Sequence, residues 1–259
     1  MSIIWNPWHG CRKLSEGCAR CYVYRRDSMF GKDSSVLQKN SSFYYPIEKF
    51  PNGDFKAAGF QVVYTCFTSD FFLEEAADLR REAWRIIKAR SDLHFYIVTK
   101  RISLFEKSIP DDWGGGYKNV EIVCTCENQI RADERLKIFL DLPIARRGVI
   151  CEPLLESLDI EKYLGSGAIS EVIAGGESGG GARVCDFKWI ENLRQQCERT
   201  ETDFFFKQTG ALFKKGESIY KIPRKLQHAQ ARKAGVNLRF KKNALDLSRL
   251  APVGQMTLF

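Results

Sequence analysis

Along the chain, short apolar runs rich in β-branched and aromatic residues alternate with longer amphipathic stretches. The runs that read as strands are Phe60–Phe67, His94–Val98, Val120–Cys124, Arg147–Ile150, Glu171–Ala174 and Asp203–Phe206, with a short first strand at Ile3–Trp5. Helical periodicity marks Leu73–Ala89, Arg131–Leu140 and Trp189–Thr200, and Tyr22–Lys32 reads as a short helix. Residues 33–60 are polar, with turn signals at Tyr44-Tyr45-Pro46 and Pro51-Asn52-Gly53, so this stretch is expected to be irregular. Strand–helix alternation of this kind predicts an α/β fold on a parallel sheet, either a barrel or a doubly wound one.

The strand ends carry the candidate chemistry. In order they finish in Thr68-Ser69-Asp70, Thr99-Lys100-Arg101, Thr125-Cys126-Glu127-Asn128, Cys151-Glu152-Pro153, Gly175-Gly176-Glu177-Ser178 and Lys207-Gln208. In parallel α/β folds loops converge at the C-terminal edge of the strands, and ligands bind there. One such end is an ordinary helix cap; six together predict a ring of polar groups around a pocket. The run Gly175–Gly181 could bring backbone amides close to a nucleotide or carboxylate, although no Gly-Lys-Ser/Thr follows and a plain strand-to-helix turn has the same sequence.

Ahead of these elements lies Cys11, Cys18 and Cys21 in C-x6-C-x2-C spacing, within a segment rich in Gly and Pro. Thiolates are soft ligands, and three of them leave one coordination position open. Three readings stay open at this point: a [4Fe–4S] cluster with one free iron, a zinc site completed by His9, or reduced cysteines without metal. Cys66, Cys124, Cys126, Cys151 and Cys185 lie in or near strands, where free cysteine packs as a small apolar residue.

Composition sharpens the partner question. The 259 residues carry a formal charge of +8, with 44% hydrophobic residues and no apolar run long enough to span a membrane. Twelve Lys or Arg stand against two acids between Lys207 and Leu250, a local +10 that leaves about −2 for the rest. That asymmetry favours a nucleic acid, against the plainer reading of a solvated basic face. The terminal Gln255-Met256-Thr257-Leu258-Phe259 is similar to the short peptides with which polymerases and repair proteins dock on the DNA sliding clamp; a strand packed on the protein itself is the alternative. Nine cysteines and the absence of an apolar signal region suit a reducing compartment, so a cytoplasmic location is expected.

Several segments together resemble the phage-type three-cysteine-motif family, which is related to radical S-adenosylmethionine enzymes. They are Trp5-Asn6-Pro7 through Cys11, Ser15–Tyr22, Ser69-Asp70, Thr99-Lys100-Arg101, Glu127-Asn128-Gln129, Ala132–Arg135, Glu152–Leu155, Gly175–Gly179 and Phe204–Gln208. The resemblance runs to about residue 210 and implies a partial or complete (β/α) TIM-like barrel over residues 1–210; beyond it, the charge pattern and the terminal peptide mark a basic extension over 211–250 and a tail over 251–259. It also implies a [4Fe–4S] cluster on Cys11, Cys18 and Cys21, with S-adenosylmethionine as cosubstrate and an electron donor such as flavodoxin or ferredoxin. Carried over, Ser69 and Asp70 meet the amino end of S-adenosylmethionine, Lys100 or Arg101 its carboxylate, Glu127 and Asn128 its ribose, and Gly175, Gly176, Glu177 and Ser178 its adenine side. Glu152, Cys126 and Tyr22 are the candidate catalytic residues. The expected activity is generation of a 5′-deoxyadenosyl radical that acts on DNA, in base modification or lesion repair, similar in concept to spore photoproduct lyase. The alternatives are a radical enzyme on a small molecule or peptide, and a zinc-stabilised nucleic-acid-binding protein. The C-x6-C-x2-C spacing departs from the C-x3-C-x2-C usual among radical enzymes.

Overall fold

The structure is a computed structural model and describes residues 1–240; the Gln255–Phe259 peptide lies outside the described residues. The chain divides into two compact units interleaved in sequence. The first takes in Met1–Leu14, Val23–Cys124 and Asp141–Arg146, and the second Ser15–Tyr22, Thr125–Leu140 and the chain from Arg147 onward.

In chain order the first unit contains β1 (Ser2–Trp5), β2 (Trp8–His9), α1 (Tyr22–Ser28), β3 (Gln38–Lys39), β4 (Val62–Thr65), α2 (Ala77–Ala89), β5 (His94–Thr99) and β6 (Val120–Thr125). β1, β4, β5 and β6 pair in that order, all parallel. β4 and β6 are buried throughout, as expected of strands covered on both faces. An aromatic cluster packs beside them, with Trp84 of α2 edge-on to Phe71 at 4.9 Å and 5.2 Å from Trp113. The indole N–H groups of Trp84 and Trp113 donate to the carbonyls of Ser108 and Pro143, both at 2.7 Å, so burial leaves neither unpaired.

The second unit continues with α3 (Gln129–Asp141), β7 (Arg147–Cys151), α4 (Glu161–Leu164), β8 (Ile169–Gly175), β9 (Val184–Asp186), α5 (Phe187–Arg199), β10 (Asp203–Gln208), β11 (Leu212–Lys215), β12 (Ser218–Lys221) and α6 (Arg224–Lys233). β8 lies between β7 and β10, parallel to both. A small second sheet places β11 between β9, parallel, and β12, antiparallel. α5 starts where the Asp186 carboxylate accepts from the Lys188 amide at 2.9 Å, and buries Ile190, Leu193 and Cys197. Leu238 exchanges both backbone hydrogen bonds with Phe204, and the Phe240 amide donates to Asp203, so residues up to 240 stay docked on β10.

The protein is therefore a mixed α/β molecule with parallel strands, as the alternation predicts. Each expected strand and helix is present, with altered ends. The strand expected over Phe60–Phe67 stops at Thr65 because Cys66 takes φ 64, a left-handed conformation that breaks the extended run. The helix expected to 32 ends at Ser28, where the Asp27 carbonyl accepts from the Phe30 and Lys32 amides around Gly31. β9, the β11–β12 hairpin and α6 lie beyond the sequence expectation. Among the described residues no helix is long and apolar enough to cross a membrane.

Candidate functional site

In the first unit the loops after β1 and β4 interlock into one corner. The Asn6 side-chain oxygen accepts from the Thr68 amide at 3.1 Å, and the Thr68 hydroxyl donates to the Trp8 carbonyl at 3.1 Å. The Gly10 amide donates to the Thr68 carbonyl at 3.3 Å, while the Ser69 hydroxyl donates to the Gly10 carbonyl. Gly10 is obligatory here: its φ is +100, and a Cβ would lie 2.1 Å from the Val36 carbonyl oxygen. Cys11 follows directly, its amide donating to the Ser34 carbonyl at 2.8 Å and its own carbonyl accepting from the Tyr24 hydroxyl.

Asp70 is buried and links two strand ends. One oxygen accepts from the Thr99 hydroxyl at 2.8 Å and the Phe72 amide at 3.0 Å, the other from the Lys100 amide at 2.9 Å. Arg101, next along, donates from Nη2 to the Arg12 carbonyl at 2.5 Å. Its Nε is buried without a hydrogen-bond partner among the described residues. A buried unpaired donor on a cation costs free energy unless an anion completes it. His9 lies beneath this corner with Nε2 2.6 Å from Asp27. Burial raises the Asp27 carboxyl, but hydrogen bonds from Ser34 and His9 outweigh it and hold the group below its ordinary value.

The second unit holds the other two cysteines of the motif, on a turn that is clamped from several sides. The Cys18 amide donates to the Ser15 carbonyl at 2.8 Å, and the Cys21 amide to the Cys18 carbonyl at 3.2 Å. Fully buried Glu127 accepts from the Ser15 hydroxyl and the Gly17 amide and is ion-paired with Arg135 at 2.7 Å. A Cβ on Gly17 would meet this carboxylate at 3.1 Å, so a glycine lets the turn approach. Glu16 is gripped by Arg131 at 3.0 Å and by Asn128 at 3.2 Å. The Arg131 hydrogen bond is the main reason its carboxyl is held down to about 2.

The glycine-rich loop after β8 completes the clamp. Arg183 donates to both oxygens of Glu177, at 2.6 and 3.0 Å, and to the Glu16 carbonyl at 3.0 Å. Arg20, between Cys18 and Cys21, donates to the Gly181 carbonyl and lies 4.0 Å from Glu177. Burial pushes the Glu177 carboxyl up, yet the Arg183 side-chain and backbone hydrogen bonds, with the charges of Arg183 and Arg20, bring it below its ordinary value. Further along the strand ends, Glu152 is bound by Lys207 at 2.6 Å and by the Gln208 amide group, and Gly175 leaves room for it.

Of the residues expected to touch a cofactor, Ser69 and Asp70 are engaged in the Cys11 corner, and Glu127, Asn128 and Glu177 around the Cys18–Cys21 turn. Gly176 donates its amide to Gln208, and Ser178 is half-buried in the same loop. Lys100 is half-buried and contributes its backbone amide to Asp70. Among the candidate catalytic residues, Cys126 is fully buried with its amide on the Ile150 carbonyl, and Tyr22 opens α1 at the surface. Sequence reasoning missed Ser15, Arg20, Arg131, Arg135 and Arg183. The available signal was the need of acids at buried strand ends for cations, which α3 and the glycine loop supply.

The nine cysteines differ in exposure. None of the nine is in a disulfide; Cys11, Cys18 and Cys21 are half-exposed, whereas the other six are buried. Burial raises the thiols of Cys66 and Cys185, the latter to about 12, so these remain neutral packing groups. Among the described residues no group of three or more His, Cys, Asp or Glu is already gathered to hold a metal ion. A comparison with curated proteins and one with solved structures gave no match. A family model described as "Protein of unknown function (DUF5131)" matches residues 1–244, nearly the whole chain, and the protein thus belongs to the DUF5131 family.

Proposed function

We propose that this protein is a radical S-adenosylmethionine enzyme of the three-cysteine-motif type, with its seven parallel strands arranged as a partial (β/α) barrel and nucleic acid, most simply DNA, as its substrate. The observation that carries the reading is the contrast among the nine cysteines: the three of the motif sit half-exposed in segments tied down by many hydrogen bonds, while the other six are buried. Cys11, Cys18 and Cys21 would hold a [4Fe–4S] cluster. When bound, that cluster supplies the electron that cleaves the sulfonium of S-adenosylmethionine to a 5′-deoxyadenosyl radical.

The chain's own residues then have separable tasks. Arg101 offers its unpaired Nε to the cofactor carboxylate, a planar cation suited to that group. Ser69 and Asp70 hold the Cys11 segment and the Lys100 turn; Glu127, Asn128 and Glu177, with their arginines, hold the Cys18–Cys21 turn. The adenine side is assigned to Gly175–Ser178. Glu152, with Lys207 and Gln208, forms a polar cluster at the end of β7 and β10 for substrate or cofactor hydroxyls. Reduction would come from a donor such as flavodoxin or ferredoxin, and the Gln255–Phe259 peptide would tether the enzyme to the sliding clamp.

The test is anaerobic purification followed by iron, acid-labile sulfide and absorption measurements on wild type and Cys18→Ala. About four irons per chain, a broad band near ~400 nm bleached by dithionite, and loss of both in the variant are the expected result. One zinc in a colourless protein overturns the radical reading in favour of a zinc-stabilised binding module. For the loaded protein, formation of 5′-deoxyadenosine that rises on adding DNA, rather than small molecules, is expected.

A further inference from the structure

The hairpin β11–β12 and the glycine loop enclose an open groove of about 460 Å³, which no step of the proposed radical chemistry uses. This volume lies within the range of small-ligand sites, about 300–1,000 Å³. One wall is Gly179, Gly181 and Ala182, the other Leu212, Lys221 and Ile222. The antiparallel register sets Leu212 opposite Lys221 and Lys214 opposite Ile219, so these four share one face of the hairpin. All four residues of β12 are exposed, with Ile219 at 57%. Lys214 is paired with Asp186 at 3.6 Å, but among the described residues Lys221, Arg224 and Lys225 have no carboxylate partner. The Gly181 carbonyl is the group that Arg20 binds, so the glycine wall of the groove is tied directly to the Cys18–Cys21 turn.

We propose that this groove seats one unstacked nucleotide of a single nucleic-acid strand. Bare glycine and alanine walls admit the flat face of a base, and Ile219 on the exposed ribbon face supports its neighbour. Lys221, Arg224 and Lys225 take the flanking phosphates. An open cleft next to cations without carboxylate partners supplies the basic track that follows the backbone in single-strand binding; here a base would rest on glycine, alanine and aliphatic side chains in place of the aromatic rings usual in such sites. The inference rests on the nucleic-acid part of the proposed function and is independent of the cluster.

The experiment is fluorescence anisotropy of the full-length protein with a labelled twelve-nucleotide DNA strand, the same strand as RNA, and its DNA duplex. The variants are Lys221→Glu/Lys225→Glu and the groove-filling Ala211→Leu, with thermal melting recorded for each. The expected result is preference for single strands over duplex, with affinity falling about tenfold or more in both variants while the melting temperatures stay within a few degrees. Wild-type binding that neither variant weakens overturns the groove assignment and leaves nucleic-acid binding standing. Absence of binding to any of the three probes overturns both. Equal binding of duplex, or displacement of the strand by S-adenosylmethionine alone, also overturns the assignment, the latter by giving the groove to the cofactor.

Discussion

At the scale of single residues, the acids at the strand ends are held by cations rather than left open to solvent. Glu127 shows this most sharply: it is fully buried, and Arg135, itself 6% exposed, neutralises it at 2.7 Å while donating a second bond to the Thr125 carbonyl. Removing one member of such a pair leaves an uncompensated buried charge, which costs about 3–5 kcal/mol, whereas removing both charges costs much less. Arg135→Met is therefore expected to lower unfolding free energy by about 3 kcal/mol or more in urea titration, and Glu127→Gln/Arg135→Met to recover part of it. Additive losses in the double variant would show that the pair contributes nothing as a pair. The sequence already displayed Glu127, Glu152 and Glu177 as acids at strand ends. It did not display their partners, because Arg135, Lys207 and Arg183 reach them across a turn of helix, a neighbouring strand and a glycine loop.

At the scale of elements, the glycine-rich loop is a piece whose stability depends on pH. Glu177 is 7% exposed and bound by the side chain and amide of Arg183. Its folded carboxyl titrates below the ordinary 4.5, so the unfolded chain takes up a proton first as pH falls. The stabilisation is present in full above the ordinary value and is lost as pH drops through the lower folded value. The urea midpoint of wild type is thus expected to fall further between pH 6 and pH 3 than that of Glu177→Gln, and parallel curves for the two would dismiss this role. Strands such as Val62-Val63-Tyr64-Thr65 were legible because they are continuous, β-branched and buried on both faces. The hairpin was not, since β12 is Ser218-Ile219-Tyr220-Lys221, wholly exposed, and offers no alternation for a pattern to reveal. Where a strand ended was also hidden: β4 stops at a left-handed Cys66, which propensity does not foresee.

For the whole molecule, the distribution of charge separates two populations of cations. Arginines such as Arg131, Arg135, Arg183 and Arg199 are matched to Glu16, Glu127, Glu177 and Glu161, so they add structure and little external field. Lys221, which lines the groove, and Arg224 and Lys225, which open α6 just after Pro223 of its lining, have no such match among the described residues. Net charge alone would spread the field of +8 over the surface and predict weak, diffuse attraction to any polyanion. A local trio predicts instead a definite number of displaced counterions. On a single strand each phosphate contact contributes about −0.7 to the slope of log affinity against log salt, so three contacts give a slope of about −2. Raising salt from ~50 to ~200 mM is then expected to weaken wild-type binding roughly twentyfold. With Lys221→Glu/Lys225→Glu the slope is expected to fall to about −0.7, since one cation of the trio remains. A variant that binds more weakly at every salt concentration but keeps the wild-type slope would mean that these lysines do not meet phosphates. The attraction would then come from the charge of the chain as a whole.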